Sequence, residues 1–224
     1  WFFARGLFTL GVKFKNTQLS EFSDIHELRD YISQQIHDYH ALMGRGVIAH
    51  FDTESYGRHI WFARMGEGSL GGKARGLAFL NSLVSRNKLT DKYENVKIST
   101  PRTVVIATDY FDQFILENDL QYVIDSDITD EEILSEFVAA RLPEELIDQL
   151  RVFVDTARSP LAVRSSSKLE DSSYQPFAGV YSTYMIPMVE NRNQMLRMLG
   201  KAIKSVYASV FYSGSRTYIQ TTAN

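Results

Sequence analysis

Cysteine is absent from the 224 residues, which excludes disulfide scaffolds, thiolate zinc sites and cysteine nucleophiles. Its absence fits the cytosol. No sign of charge dominates: 24 Lys+Arg against 27 Asp+Glu leave a formal charge of −3. That balance argues against a general nucleic-acid surface, which needs a basic face to displace counterions. No apolar run approaches the ~20 residues of a membrane helix. An initiator Met is missing as well. The chain opens Trp1-Phe2-Phe3-Ala4-Arg5-Gly6-Leu7-Phe8, apolar but without the basic start and cleavage site of a signal peptide. It is therefore read as part of a longer protein, with this segment expected to pack against something upstream. What is present is ordinary for a folded chain: 44% hydrophobic and 23% charged residues, enough for a core in one large domain or two small ones.

Ser20 to Ser23 offer caps for a helix whose apolar positions, Ile25, Leu28, Tyr31, Ile32, Ile36 and Tyr39, recur every three or four residues. Two short extended runs follow, 46–51 and 59–65, separated by a turn near Tyr56-Gly57. A glycine-rich loop, Gly66 to Gly72, leads into a second helix from Lys73 to about Arg86. Thr103 to Thr108 reads as a buried β-branched strand, with Asp109 placed to cap the next helix. Between 125 and 148, nine acids are interrupted by one base, Arg141. Two solvated helices fit there, the first opened by Thr129 with Glu132 as a capping box, the second by Pro143; the acids sit near their N-termini, where the helix dipole favours them. Leu161 to Arg164 and Val180 to Met185 read as strands, and a long helix runs from about Asn191 to Ser213.

The glycine loop, Gly66-Glu67-Gly68-Ser69-Leu70-Gly71-Gly72-Lys73, invites comparison with known phosphate loops. A Walker A loop needs Gly where Glu67 stands and Ser or Thr where Ala74 stands, so that pattern fails. Gly66-x-Gly68-x-x-Gly71 satisfies GxGxxG between a strand and a helix, but the ribose-binding acid should end the next strand. Asp91 and Glu94 precede that strand, and Thr108-Asp109 lies too far on. What remains is general: glycines admit an anion to backbone N–H groups, the helix start adds a positive dipole end, and Lys73 is a cation at that spot. A flexible hairpin exit with a solvated lysine accounts for the same residues.

Ala162-Val163-Arg164-Ser165-Ser166-Ser167-Lys168-Leu169-Glu170-Asp171 runs from an apolar strand into a polar loop. An arginine at the mouth of such a strand is costly unless it pairs, and its guanidinium suits bidentate phosphate contact. A pair with Glu170 or Asp171, holding the loop in shape, is the alternative. Gly179 allows close approach of a ligand or another backbone, and Thr183 shares a strand face with Tyr181 and Met185.

Taken together, four stretches resemble one family. Gly71-Gly72-Lys73-Ala74-Arg75-Gly76-Leu77 is similar to the GGKGxNL motif of phosphoenolpyruvate synthase and pyruvate phosphate dikinase, with Ala74 and Gly76 as departures. Pro101 to Phe111 resembles the family's P-x-G-F-V-I-T-T-x-A-Y, with Thr103 in place of glycine. Ala162 to Asp171, followed by Phe177-Ala178-Gly179, resembles AVRSSATAED…FAG, with Ser167-Lys168-Leu169 replacing Ala-Thr-Ala. Ala202 to Phe211 is similar to an AIKxxWASLF helix. The motifs occur in the family's order over about residues 66–218.

The resemblance implies an α/β (α+β) fold: the first part of an ATP-grasp-like nucleotide-binding domain over 66–224, with a helical insertion at about 125–156. Residues 1–65 are then an N-terminal helix–strand extension or the end of an upstream domain. It further implies a phosphotransferase that takes phosphoryl groups from ATP and passes them to a histidine on another domain, ending on pyruvate bound by a third. Carried over by motif, Lys73 and Arg164 are the catalytic cations, and Gly71, Gly72, Lys73, Arg164, Ser165, Gly179 and Thr183 bind the nucleotide. Mg²⁺ is expected as a cofactor, with its acidic ligands beyond Asn224, so this chain alone is expected to lack turnover. None of His26, His37, His40, His50 and His59 stands in a context like the phosphorylated histidine. Partners implied are the phosphohistidine and pyruvate-binding domains, with no nucleic acid and no membrane, in the cytoplasm. A glucan- or antibiotic-type dikinase and a non-catalytic nucleotide-sensing scaffold are the rival readings.

Overall fold

The computed structural model describes residues 2–5, 7–44, 48–54, 56, 60–166 and 182–216. Its first two helices, α1 (Phe8–Lys15) and α2 (Ile25–Gly44), pack on each other. α1 begins where the apolar opening stretch ends, at Phe8. The start of α2 is held by Asp24, one residue past the serines expected to cap it. Its Oδ1 accepts from the N–H groups of His26 (2.7 Å) and Glu27 (2.8 Å), two donors a helix start otherwise leaves unpaired. Rings of Phe2, Phe14, Phe22 and Tyr31 join the pair, with Tyr31 5.2 Å from Phe22 and 6.4 Å from Phe14.

The next elements form a small parallel sheet. β1 (Ala49–His50), β2 (Phe62–Met65) and β3 (Thr103–Ile106) lie in the order β1-β2-β3, with Ala49 opposite Ala63 and Met65 opposite Ile106. The extended runs on either side of Tyr56-Gly57 are thus parallel neighbours, and the hairpin alternative for the glycine loop is replaced. β2 and β3 are linked by α3 (Gly71–Arg86), the crossover a parallel pair requires. Phe62, Ala74 and Val105 are buried between helix and sheet. A buried polar relay seals the far end: Trp61 donates to the Thr100 carbonyl at 2.9 Å, and the Thr100 hydroxyl donates to Asn81 at 2.8 Å.

After β3 come α4 (Thr108–Glu117), α5 (Gln121–Asp125), α6 (Asp130–Ala139) and α7 (Glu144–Thr156). The α6 capping box is present, with Thr129 Oγ1 accepting from Glu132 N–H and Glu132 reaching back to Thr129 N–H. Pro143 stands just ahead of α7 as its cap residue. A two-stranded antiparallel ribbon follows, β4 (Leu161–Arg164) with β5 (Thr183–Ile186), then α8 (Arg192–Ser209). Asn191 caps α8, which ends four residues before the expected Ser213.

The acidic stretch is exposed on one side and apolar on the other. Ile133 and Phe137 of α6 and Leu146, Leu150 and Val154 of α7 share one core with Ala63 and Met65 of β2, Phe114 of α4, and Met195 and Leu199 of α8. α8 is thereby the hub on which α6, α7 and the ribbon pack. Its Lys204 donates to the carbonyls of Val138 and, at 2.9 Å, Ala140, satisfying acceptors at the end of α6. Burial pushes the Lys204 ammonium pKa down. Phe137 is fully buried, with ring centroids 5.8 Å from Phe114 and 5.6 Å from Phe211. Phe137→Ala is expected to cost about 3–5 kcal/mol, read as a lower urea midpoint at unchanged slope. Leu116→Ala, at a side chain 77% exposed, is expected to stay within about 0.5 kcal/mol of wild type.

Candidate functional site

Gly66 and Gly71 adopt positive φ, +86° and +74°, where side chains are strained. Space excludes them too. A Cβ on Gly66 would lie 2.5 Å from Asp109 Oδ1, and one on Gly68 2.6 Å from the Asp109 nitrogen and the Thr108 hydroxyl. A Cβ on Gly71 would lie 1.3 Å from the Ser166 carbonyl oxygen. The GxGxxG spacing therefore serves two contacts: its first two glycines fit the start of α4, and its third fits the segment leaving β4.

The α4 contact shapes the loop. Asp109 was expected to cap its own helix, but α4 begins at Thr108 after Ala107, with no side-chain cap. The carboxylate instead accepts from Glu67 N–H at 2.6 Å. Burial raises its pKa, but the amides of Glu67 and Gly68 outweigh this and hold the carboxyl below the usual aspartate value. The Thr108 hydroxyl accepts from Ser69 N–H at 3.0 Å, and Thr108 N–H donates to the Ser69 carbonyl at 3.1 Å. From β2, the half-buried Arg64 spans the loop's inner carbonyls, reaching Gly66 at 2.8 Å and Gly68 at 3.2 Å. An internal carboxylate thus occupies loop amides that a free anion would otherwise seek. Its place in sequence, three residues past β3, suggested neither contact.

The second contact joins the two cationic motifs. α3 starts at Gly71, two residues ahead of its expected start, and its cap residue Leu70 offers no side-chain bond. Ser166 supplies one from 92 residues away, its Oγ accepting from Ala74 N–H at 2.9 Å. The same hydroxyl donates to the Leu70 carbonyl at 2.9 Å. It bridges the donor and acceptor that an α-helix joins directly in its first turn. Ala74, where the family has glycine, is 5% exposed and packed in the helix–sheet core.

The expected site residues divide as follows. Gly71, Gly72 and Lys73 form the first turn of α3. Arg164 ends β4 directly opposite Thr183 on β5. Arg164, Thr183, Ala162 and Met185 share the exposed face of the ribbon, so Arg164 is solvated and the desolvation cost expected of it does not arise. Ser165 follows it, half-buried. The Ser166 bonds hold these two groups of residues on touching segments. Gly179, Tyr181, Lys168, Glu170 and Asp171 lie outside the described residues. A cleft of about 360 Å³ opens at the carboxyl ends of the parallel strands, lined by His50, Arg64, Glu67, Asp109, Gln113 and Glu145 among others. Lys73, Arg164, Ser165 and Thr183 do not line it. Among the described residues, no group of three or more His, Cys, Asp or Glu is placed to hold a metal ion, and no helix is long and apolar enough to cross a membrane.

A mixed α/β fold with a glycine loop, a helix start and an exposed arginine brought together defines a candidate anion-binding module. The family model of the pyruvate phosphate dikinase AMP/ATP-binding domain matches residues 67–223. The chain belongs to that family of ATP-binding modules. No curated protein and no solved structure matches it in the corresponding searches.

Asp109→Asn is expected to lower the melting temperature at roughly pH 7. A carboxylate with a depressed folded pKa contributes stability above its unfolded value and loses it as pH falls through the folded one. The difference between wild type and variant should therefore shrink as pH drops below the ordinary 3.8, measured by thermal unfolding across the acid range. A difference independent of pH would show that the charge does not hold the loop.

Proposed function

We propose that this chain is the ATP-binding part of a phosphotransferase resembling phosphoenolpyruvate synthase and pyruvate phosphate dikinase. Residues 66–224 are the first half of an ATP-grasp-like domain with a helical insertion at about 125–156, and residues 1–65 are an extension of it. The protein takes phosphoryl groups from ATP and passes them to a histidine on another domain, ending on pyruvate, in the cytoplasm. The observation that carries this reading is the Ser166 bridge, which unites motifs that sequence separates. The donor set suits a polyphosphate: a helix start with its dipole, one ammonium and one guanidinium. Lys73 and Arg164 neutralise phosphate charge, which is most of what a protein supplies to phosphoryl transfer. The first turn of α3, Gly71 to Lys73, meets the phosphates, and Ser165, Gly179 and Thr183 bind the nucleotide. Mg²⁺, for which the described residues offer no acidic cluster, would supply the remaining charge neutralisation when bound.

Calorimetry of Mg-ATP binding to the full-length protein tests the assignment. Lys73→Ala and Arg164→Ala are each expected to weaken binding by about ten- to a hundredfold, the range of a charge-assisted hydrogen bond. Unchanged affinity in both would refute it.

A further inference from the structure

We propose that Ser166 is a positioning residue for the phosphate site, its hydroxyl holding the Lys73 turn against the end of the Arg164 strand so that both cations meet one polyphosphate. This rests on the nucleotide reading above and adds a residue to it.

Three observations carry the inference. The hydroxyl is used as donor and as acceptor, to Leu70 and from Ala74, both at 2.9 Å. It therefore fixes two points on the first turn of α3, whose own cap residue contributes no side-chain bond. Lys73 lies immediately before one anchor, and Arg164 lies two residues before the serine itself. The contact is also close at the backbone: Gly71, at positive φ, meets the Ser166 carbonyl where a Cβ would come within 1.3 Å. Such a junction transmits small displacements, because backbone meets backbone there with no side chain between to absorb them. Cations on two separate segments bind one polyphosphate well only if their spacing is set before the ligand arrives. Without the hydroxyl, Ala74 N–H and the Leu70 carbonyl can close the ordinary helical bond, so α3 persists while its tie to β4 is lost.

The test is calorimetry of Mg-ATP and of AMP on the full-length protein, comparing wild type, Ser166→Ala, Ser166→Thr and Lys73→Ala. Ser166→Ala is expected to lose about tenfold in ATP affinity with a much smaller loss for AMP, because one phosphate needs less of the two-cation spacing than three. Its melting temperature without nucleotide should stay close to wild type. Ser166→Thr, which keeps the hydroxyl, should bind ATP close to wild type. Wild-type ATP affinity in Ser166→Ala, an equal loss for ATP and AMP, or a threonine variant as weak as alanine would overturn the positioning role. Wild-type ATP affinity in Lys73→Ala would instead bring down the nucleotide reading itself.

Discussion

Between the first turn of α3 and the segment leaving β4 there is no room for a single carbon atom. A Cβ at Gly71 would fall 1.3 Å from the Ser166 carbonyl, so these segments meet backbone to backbone. A glycine in the left-handed region is the residue that permits such an approach. The rest of the site depends on it. Ser166 reaches both Leu70 and Ala74 because no side chain intervenes, and the segments that carry Lys73 and Arg164 touch for the same reason. On the opposite side of the loop, Gly66 and Gly68 make the corresponding allowance for Asp109 and Thr108. The loop is therefore a spacer clamped from two directions, with its shape set before any ligand binds.

The scaffold behind it explains how that precision is kept. α8 collects α6, α7 and the β4–β5 ribbon on one apolar face, and the ribbon carries Arg164 and Thr183. Lys204 spends its ammonium on α6 carbonyls. Tyr207 packs edge-on against Phe111, 4.9 Å between centroids. The fourth family-like stretch is thus a support, tying α4, where the glycine loop is anchored, to the helices and the ribbon. Close packing makes that support stiff, since interiors at crystal-like density transmit displacement rather than absorb it.

Local patterns were legible wherever chemistry acts between near neighbours. The apolar spacing of α2, the Thr129–Glu132 capping box, a helix starting near Asn191 and a β-branched strand from Thr103, though it ends at Ile106 and not Thr108, were legible because each depends on residues within about one turn of one another. Pairings across long separations were not. The runs around 49 and 63 lie in parallel, which a short connection does not suggest. Asp109 had the sequence position of a helix cap, yet its carboxylate serves amides 42 residues back. Three consecutive serines offered equivalent hydroxyls, and nothing local distinguished Ser166 from its neighbours.

Composition and motif order by themselves determined the class: a mixed α/β chain, with no thiol chemistry, whose glycine–lysine and arginine–serine stretches fit a nucleotide-binding family. Those features are properties of residue type and spacing, and survive without coordinates. Only the tertiary structure decided which hydroxyl bridges the two motifs, that Arg164 is solvated beside Thr183, and that Asp109 fills loop amides from within. The physical reason is range. Periodicity and capping are enforced along a few residues of chain, whereas the Ser166 and Asp109 contacts arise when segments more than 40 residues apart in sequence are brought together by a shared core.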